Sequence, residues 1–123
     1  MAAERKKVLL IDDDEIQLSI AKLALQGEYD IHTAKSGREA IDYLLLGNVP
    51  DLILLDILMP KMDGWATFNR IRAISLLKEV PIIFLTSVTD KVEEKRGLEM
   101  GAVDYIRKPY NTSDLLERIR ERI

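Results

Sequence analysis

The sequence predicts an α/β fold, a parallel sheet with helices on both faces, and three observations carry that expectation. Short apolar runs alternate with longer segments of helical period, five times over. The inner runs, such as "LILL" (Leu52–Leu55), are apolar at consecutive positions, as strands buried on both faces are. Cap and stop residues fall between the runs, where strand-to-helix and helix-to-strand connections belong.

The strands are expected at Lys7–Ile11, Tyr29–Ala34, Leu52–Asp56, Ile82–Thr86 and Ala102–Arg107. The helices are expected at Glu15–Gln26, Arg38–Leu46, Trp65–Ile74, Lys91–Met100 and Ser113–Arg122. "DEIQ" places Asp14 at a cap with Gln17 three residues on, and "SGRE" repeats the pattern with Ser36 and Glu39. "DKVE" (Asp90, Glu93) and "NTSD" (Asn111, Asp114) are weaker forms of the same signal. Gly27, Gly47 and Gly101 follow their helices and predict left-handed ends. The fourth helix is charge-rich and has Gly97 inside it, with Val92, Leu98 and Met100 as its main apolar residues. No linker, repeat or composition shift divides the 123 residues, which are expected to form one domain over 1–123 with no output domain following. The expected architecture is a doubly wound sheet, a flavodoxin-like (βα)5 fold if the strand order is 2-1-3-4-5.

Composition narrows the chemistry. There is no cysteine, which removes disulfides, thiolate metal sites and thiol nucleophiles. His32 is the one histidine, so a multi-histidine metal site or a Ser-His relay is disfavoured, and a strand side chain is the better reading of it. The net charge of -3, with both signs dispersed, gives no nucleic-acid footprint. "MAAERKK" lacks the apolar segment of a signal peptide, and no apolar run approaches the ~20 residues of a membrane span. A cytoplasmic protein, or a cytoplasmic fragment of a longer one, is expected.

In open α/β sheets ligands bind beyond the carboxyl ends of the strands, at the point where the strand order reverses. Strand one ends in Asp12 and Asp13, strand three in Asp56, strand four in Thr86 and Ser87, and strand five in Lys108. In the order 2-1-3-4-5 the three carboxylates converge. Their mutual repulsion calls for a cation. Hard oxygen donors suit Mg²⁺, with Mn²⁺ as an alternative, and the metal keeps coordination positions for phosphate oxygens. A lysine and a hydroxyl serve those same oxygens, which points to phosphoryl chemistry with an Asp as acceptor.

"VLLIDDDE", "LLDILMPKMDG", "FLTS" and "GAVDYIRKP", in this order and spacing, resemble the receiver domain of two-component response regulators over residues 7–122. The resemblance implies Asp56 as phospho-acceptor. It implies Mg²⁺ held by Asp12, Asp13, Asp56 and the backbone carbonyl of Leu58, with Thr86 and Lys108 on the phosphoryl oxygens. It further implies a cis Lys108–Pro109 peptide and Tyr105 as the aromatic switch residue that works with Thr86. The expected partners are a sensor histidine kinase or histidine phosphotransfer protein as donor and an unidentified output protein or domain. That output is reached through the face formed by the fourth helix, fifth strand and fifth helix, and a phosphorylation-dependent homodimer is compatible with it. The expected protein is no enzyme beyond its own phosphotransfer and slow dephosphorylation. Leu58 and Val88, each two residues beyond a site residue, offer no polar group to an attacking water.

Plainer readings stand beside these. Asp14 is a better N-cap than metal ligand, and Asp12 and Asp13 by themselves are equally well explained as loop carboxylates favoured by a helix N-terminus. Thr86 alone is an ordinary strand end, and Tyr105 alone is packing. Asp30, Asp51, Asp63 and Asp104 read as solvated or turn-forming, and Trp65 as a partly exposed ring near the site mouth. Two other phosphate-handling classes fit worse. A phosphatase of the haloacid-dehalogenase type needs an acid two residues after its nucleophile, where Leu58 stands. A flavodoxin-like cofactor binder needs a phosphate-friendly first loop, and "IDDDE" repels phosphate.

Overall fold

The computed structural model describes residues 5–87 and 91–123. The Asp90 cap and the position of Val88 lie outside the described residues. The strands are β1 (Lys7–Ile11), β2 (Asp30–Ala34), β3 (Leu52–Asp56), β4 (Ile82–Thr86) and β5 (Asp104–Arg107). They alternate with α1 (Glu15–Leu25), α2 (Gly37–Leu45), α3 (Gly64–Arg72), α4 (Lys91–Met100) and α5 (Thr112–Arg120). All five strands are parallel, in the order β2-β1-β3-β4-β5.

Alternation along the strands builds two cores, because successive side chains leave opposite faces of a sheet. Leu9, Ile11, Ile53, Leu55, Ile82 and Phe84 face one way, against Ala40, Ile41 and Leu44 of α2 and Phe68 and Ile71 of α3. Val8, Leu10, Leu52, Leu54, Ile83 and Leu85 face the other way, against Leu18, Ala21 and Leu25 of α1 and Leu115 and Ile119 of α5. β3 and β4 are buried at every position, and the edge strand β2 is buried only at Ala34.

The caps settle most helix starts. Asp14 accepts hydrogen bonds from the Ile16 and Gln17 N–H groups at 2.9 and 3.3 Å, and Ser36 accepts from Glu39 N–H at 3.0 Å. Asn111 accepts from Asp114 N–H at 2.7 Å. Asp63, expected in a turn, caps α3 by accepting from Ala66 N–H at 2.9 Å. Gly47 and Gly101 are left-handed, at φ of 98° and 111°. Gly27 is not: the chain leaves α1 through further turns, with the Glu28 and Tyr29 N–H groups both donating to the Leu25 carbonyl at 3.0 Å. A short 3₁₀ turn at Ser75–Leu77 has no counterpart in the expected elements.

Two acids read as solvated have structural work. Asp51 accepts from Lys7 N–H at 2.7 Å, which ties the start of β3 to the start of β1. Asp104 accepts from Tyr105 N–H and pairs with Arg118 of α5 at 2.5 Å. His32 lies on the exposed side of β2, stacked on Tyr43 with centroids 3.8 Å apart.

Candidate functional site

The order reversal between β1 and β3 sets the carboxyl ends of these two strands side by side. Ile11 pairs with Leu55 and Asp56 pairs with Leu85, so Asp12, Asp56 and the end of β4 form one rim. Asp12 is pinned from the far side by its own N–H, which donates to the Ala34 carbonyl at 3.1 Å.

Oxygens of Asp12, Asp13 and Asp56 lie within 4.8 Å of one another. Asp12 and Asp56 are 2% and 4% exposed, whereas Asp13 is open to solvent. Buried acids this close destabilise one another unless a cation intervenes. Lys108 is the protein's own cation here: its Nζ donates to Asp12 Oδ2 at 2.6 Å and lies 3.6 Å from Asp56 Oδ1. The Lys108 N–H donates to the Thr86 carbonyl at 2.7 Å, which fixes the start of this side chain. The Lys108–Pro109 peptide that follows is cis.

One lysine does not offset three carboxylates. Burial, then the charges of Asp12 and Asp13, push the Asp56 carboxyl up to about 7 against the pull of Lys108. For Lys108, burial acts to lower the pKa, but the hydrogen bond to Asp12 and the attraction of Asp56 and Asp12 raise it overall. The donor set is therefore hard, acidic and short of positive charge. It fits a divalent cation of the Mg²⁺ type, which favours carboxylate oxygens and retains open positions.

Asp12, Asp13, Asp14, Gln17, Asp56, Leu58, Ser87, Lys108 and Pro109 line the open pocket above this cluster. Leu58 thus stands at the mouth, half-exposed. Ser87, named from the sequence only as closing the fourth strand, and Gln17, named only as a capping-box partner, are also wall residues. The position of Ser87 after the last residue of a strand was a signal for it, and the place of Gln17 in the first turn of α1, just beyond the Asp14 cap, was one for Gln17. Thr86 is fully buried, and its side chain is hydrogen-bonded to that of Tyr105. Tyr105 is itself buried, against Phe84 at 6.4 Å between centroids.

The loop after Asp56 is held tightly. Gly64 N–H donates to the Ile57 carbonyl at 2.8 Å, and Lys61 adopts a left-handed φ of 67° between them. Trp65, expected to be partly exposed, is 9% exposed, packed 5.0 Å from Phe84 and covered by Arg96.

Residues 8–120 match the family model described as the response regulator receiver domain. The chain is similar to solved structures over nearly its whole length. Chemotaxis protein CheY4 of Vibrio cholerae superposes with a TM-score of 0.91 at 30% identity, covering 98% of this chain and 100% of that one. A putative response regulator from Chloroflexus aurantiacus gives 0.88 at 34% identity, with 96% and 97% covered. The signal receiver domain of a signal transduction histidine kinase from Syntrophus aciditrophicus gives 0.84 at 34% identity, with 94% and 88% covered. The chain belongs to the receiver domain family of two-component response regulators, a family of phosphorylation-dependent signalling switches rather than of conventional enzymes. No helix among the described residues is long and apolar enough to cross a membrane.

Proposed function

We propose that this chain takes a phosphoryl group onto Asp56 from the phosphohistidine of a sensor histidine kinase or phosphotransfer protein and thereby controls a downstream partner. The observation that carries the reading is the acid cluster with its single lysine: three carboxylates within 4.8 Å and the Lys108 Nζ bridging Asp12 and Asp56. A carboxylate oxygen of Asp56 attacks phosphorus, the P–O bond forms as the P–N bond to the donor imidazole breaks, and the imidazole takes up a proton. Asp12, Asp13, Asp56 and the Leu58 carbonyl would hold Mg²⁺, or Mn²⁺ in its place. When bound, the metal supplies charge neutralisation for the transferring phosphoryl oxygens. Lys108 exchanges its contact with Asp56 for a phosphoryl oxygen while Asp12 keeps it aimed.

The switch begins at Thr86. Its hydroxyl turns from Tyr105 to the phosphoryl oxygens, and Tyr105 follows into the space vacated. The response is read at the face of α4, β5 and α5, where Arg107 pairs with Glu94 at 2.8 Å and a groove of about 420 Å³ runs past Tyr105, Tyr110 and Arg118. Shifting a two-state element from mostly one form to mostly the other takes roughly 5 kcal/mol of differential stabilisation, which new charge-assisted bonds at Asp56 are placed to supply. An output protein or a second copy of the chain is the reader of that face.

The test is incubation with acetyl phosphate and Mg²⁺, followed by intact mass. Wild-type protein is expected to gain one phosphoryl group and Asp56→Asn none; a gain that persists in Asp56→Asn moves the acceptor elsewhere. Leu58 presents no group that orients water, so the acyl phosphate is expected to be long-lived. Leu58→Asn should speed its loss by at least about tenfold, within the range for a positioned polar group. Equal decay of the two phosphoproteins would remove Leu58 from the account.

A further inference from the structure

α4 meets the rest of the molecule through very little apolar surface. Of its residues only Gly97 is buried, and Val92 and Leu98 are 71% and 46% exposed. A surface helix ordinarily anchors through an apolar stripe about a third of its circumference wide. Here the missing side chain at Gly97 admits the helix to Phe84 and Tyr105, where a Cβ would stand 3.1 and 3.4 Å from the two rings. A glycine contact sets distance but gives little grip.

Met100 packs against the core at the end of the helix and Glu94 pairs with Arg107 of β5, and the residue before Gly97 supplies a third hold. Arg96 lays its guanidinium over the Trp65 ring, 4.5 Å from the centroid, and Glu93 on the same helix lies 3.6 Å from it. The indole is rigidly placed. It is packed against Phe84 in the core and follows Gly64, whose backbone is pressed against the Asp56 carbonyl and Ile57. A planar cation on a nearly buried indole is a favourable pairing, and more so for arginine than for lysine, which cannot stack.

We propose that Arg96 is a positioning residue of the switch: stacked on Trp65, it clasps α4 to the first turn of α3, so that the placement of α4 is referenced to the peptide that carries Asp56. Movement at Thr86 and Tyr105 then reaches α4 by two routes. One is direct, at Gly97, and the other passes through Phe84 and Trp65 to Arg96. The clasp is a property of the unphosphorylated protein; its part in signalling rests on the phosphorylation reading above.

The experiment compares amide hydrogen exchange and Trp65 emission in wild-type protein, Arg96→Met and Arg96→Lys, without phosphodonor. With Glu93→Gln as the control for the lost helical pair, Arg96→Met keeps a long apolar side chain and removes the cation from both Trp65 and Glu93. It is expected to raise exchange in α4 about fivefold, the loss of a partly desolvated cation–π contact, and to change the emission of the one tryptophan. Sheet amides should be unaffected, and Arg96→Lys should fall between Arg96→Met and wild type. Exchange and emission unchanged in Arg96→Met overturn the clasp, and so does an increase spread equally over the sheet. Adding beryllofluoride and Mg²⁺ then tests the coupling: the change these produce in α4 exchange should be smaller in Arg96→Met than in wild type, and an equal change overturns the role in switching. A failure of Asp56 to accept phosphate sinks the parent reading and leaves the exchange result standing.

Discussion

Asp56→Asn, the substitution that removes the proposed acceptor, is expected to make the unphosphorylated, metal-free protein more stable. The cause is the frustration of the acid cluster. The Asp56 carboxyl ordinarily titrates at 3.8, and in the folded protein burial and the charges of Asp12 and Asp13 raise it to about 7. A raised carboxyl pKa means that the native state binds the proton more tightly than the unfolded chain does. The associated stability is present in full below 3.8 and is lost as pH rises through about 7. Acting alone, a displacement of this size corresponds to about 4 kcal/mol. Lys108 and Asp12 share the charge and water reaches the pocket mouth, so on the order of 2 kcal/mol is the expected effect. In urea titrations with EDTA at about pH 8, Asp56→Asn should therefore unfold later than wild type by that amount, and its stability should vary less between pH 4 and 8. Mg²⁺ should then narrow the gap by stabilising wild type selectively, since a ligand stabilises in proportion to its preference for the native state. An Asn variant less stable than wild type in EDTA at that pH would mean that Lys108 already neutralises the cluster.

That frustration was partly visible in the sequence. An ionisable residue closing an otherwise apolar strand is costly, and the runs before Asp12 and Asp56 have this form. Their convergence depended on strand order alone, and the apolar period that identifies strands also assigns each residue to one face of the sheet. What the sequence did not disclose depends on elements far apart along the chain. Trp65 looks like an exposed ring beside a turn until Arg96, in another helix, is laid over it. Asp51 looks solvated until β1 starts beside it and offers the Lys7 N–H. The left-handed Lys61 carries no local signal at all, because the residue types favoured at positive φ are glycine, asparagine and aspartate. Gly27 failed in the opposite sense: glycine permits a left-handed end but does not require one, and the turns beyond α1 already satisfy the helix carbonyls.

Gly64 shows how a residue with no functional group governs the site. "MDG" reads as turn chemistry, and a turn glycine is usually kept for its freedom at positive φ. Gly64 is instead the first residue of α3, and positive φ is recorded for Gly47 and Gly101 but not for it. Its constraint is space: a Cβ would stand 2.5 Å from the Asp56 carbonyl oxygen and 2.6 Å from the Ile57 Cα. Both obstacles are backbone, at the last residue of a central buried strand and the one after it, and backbone there cannot give way as a side chain end can. Gly64→Ala is therefore expected to cost about 3 kcal/mol or more in urea unfolding, at the upper end of overpacking effects. The strain falls on the peptide between Asp56 and Ile57, so acetyl phosphate labelling of the folded variant should slow by at least about tenfold, as loss of in-line positioning predicts. Two glycine controls separate space from conformation. Gly47→Ala meets nothing within 4 Å but must hold a φ of 98°, and should cost on the order of 1 kcal/mol with labelling unchanged. Gly27→Ala meets nothing within 4 Å and has no positive φ, and should be neutral to within about 0.5 kcal/mol. If all three alanines behaved alike, the close approach at Gly64 would not be what holds Asp56 in place.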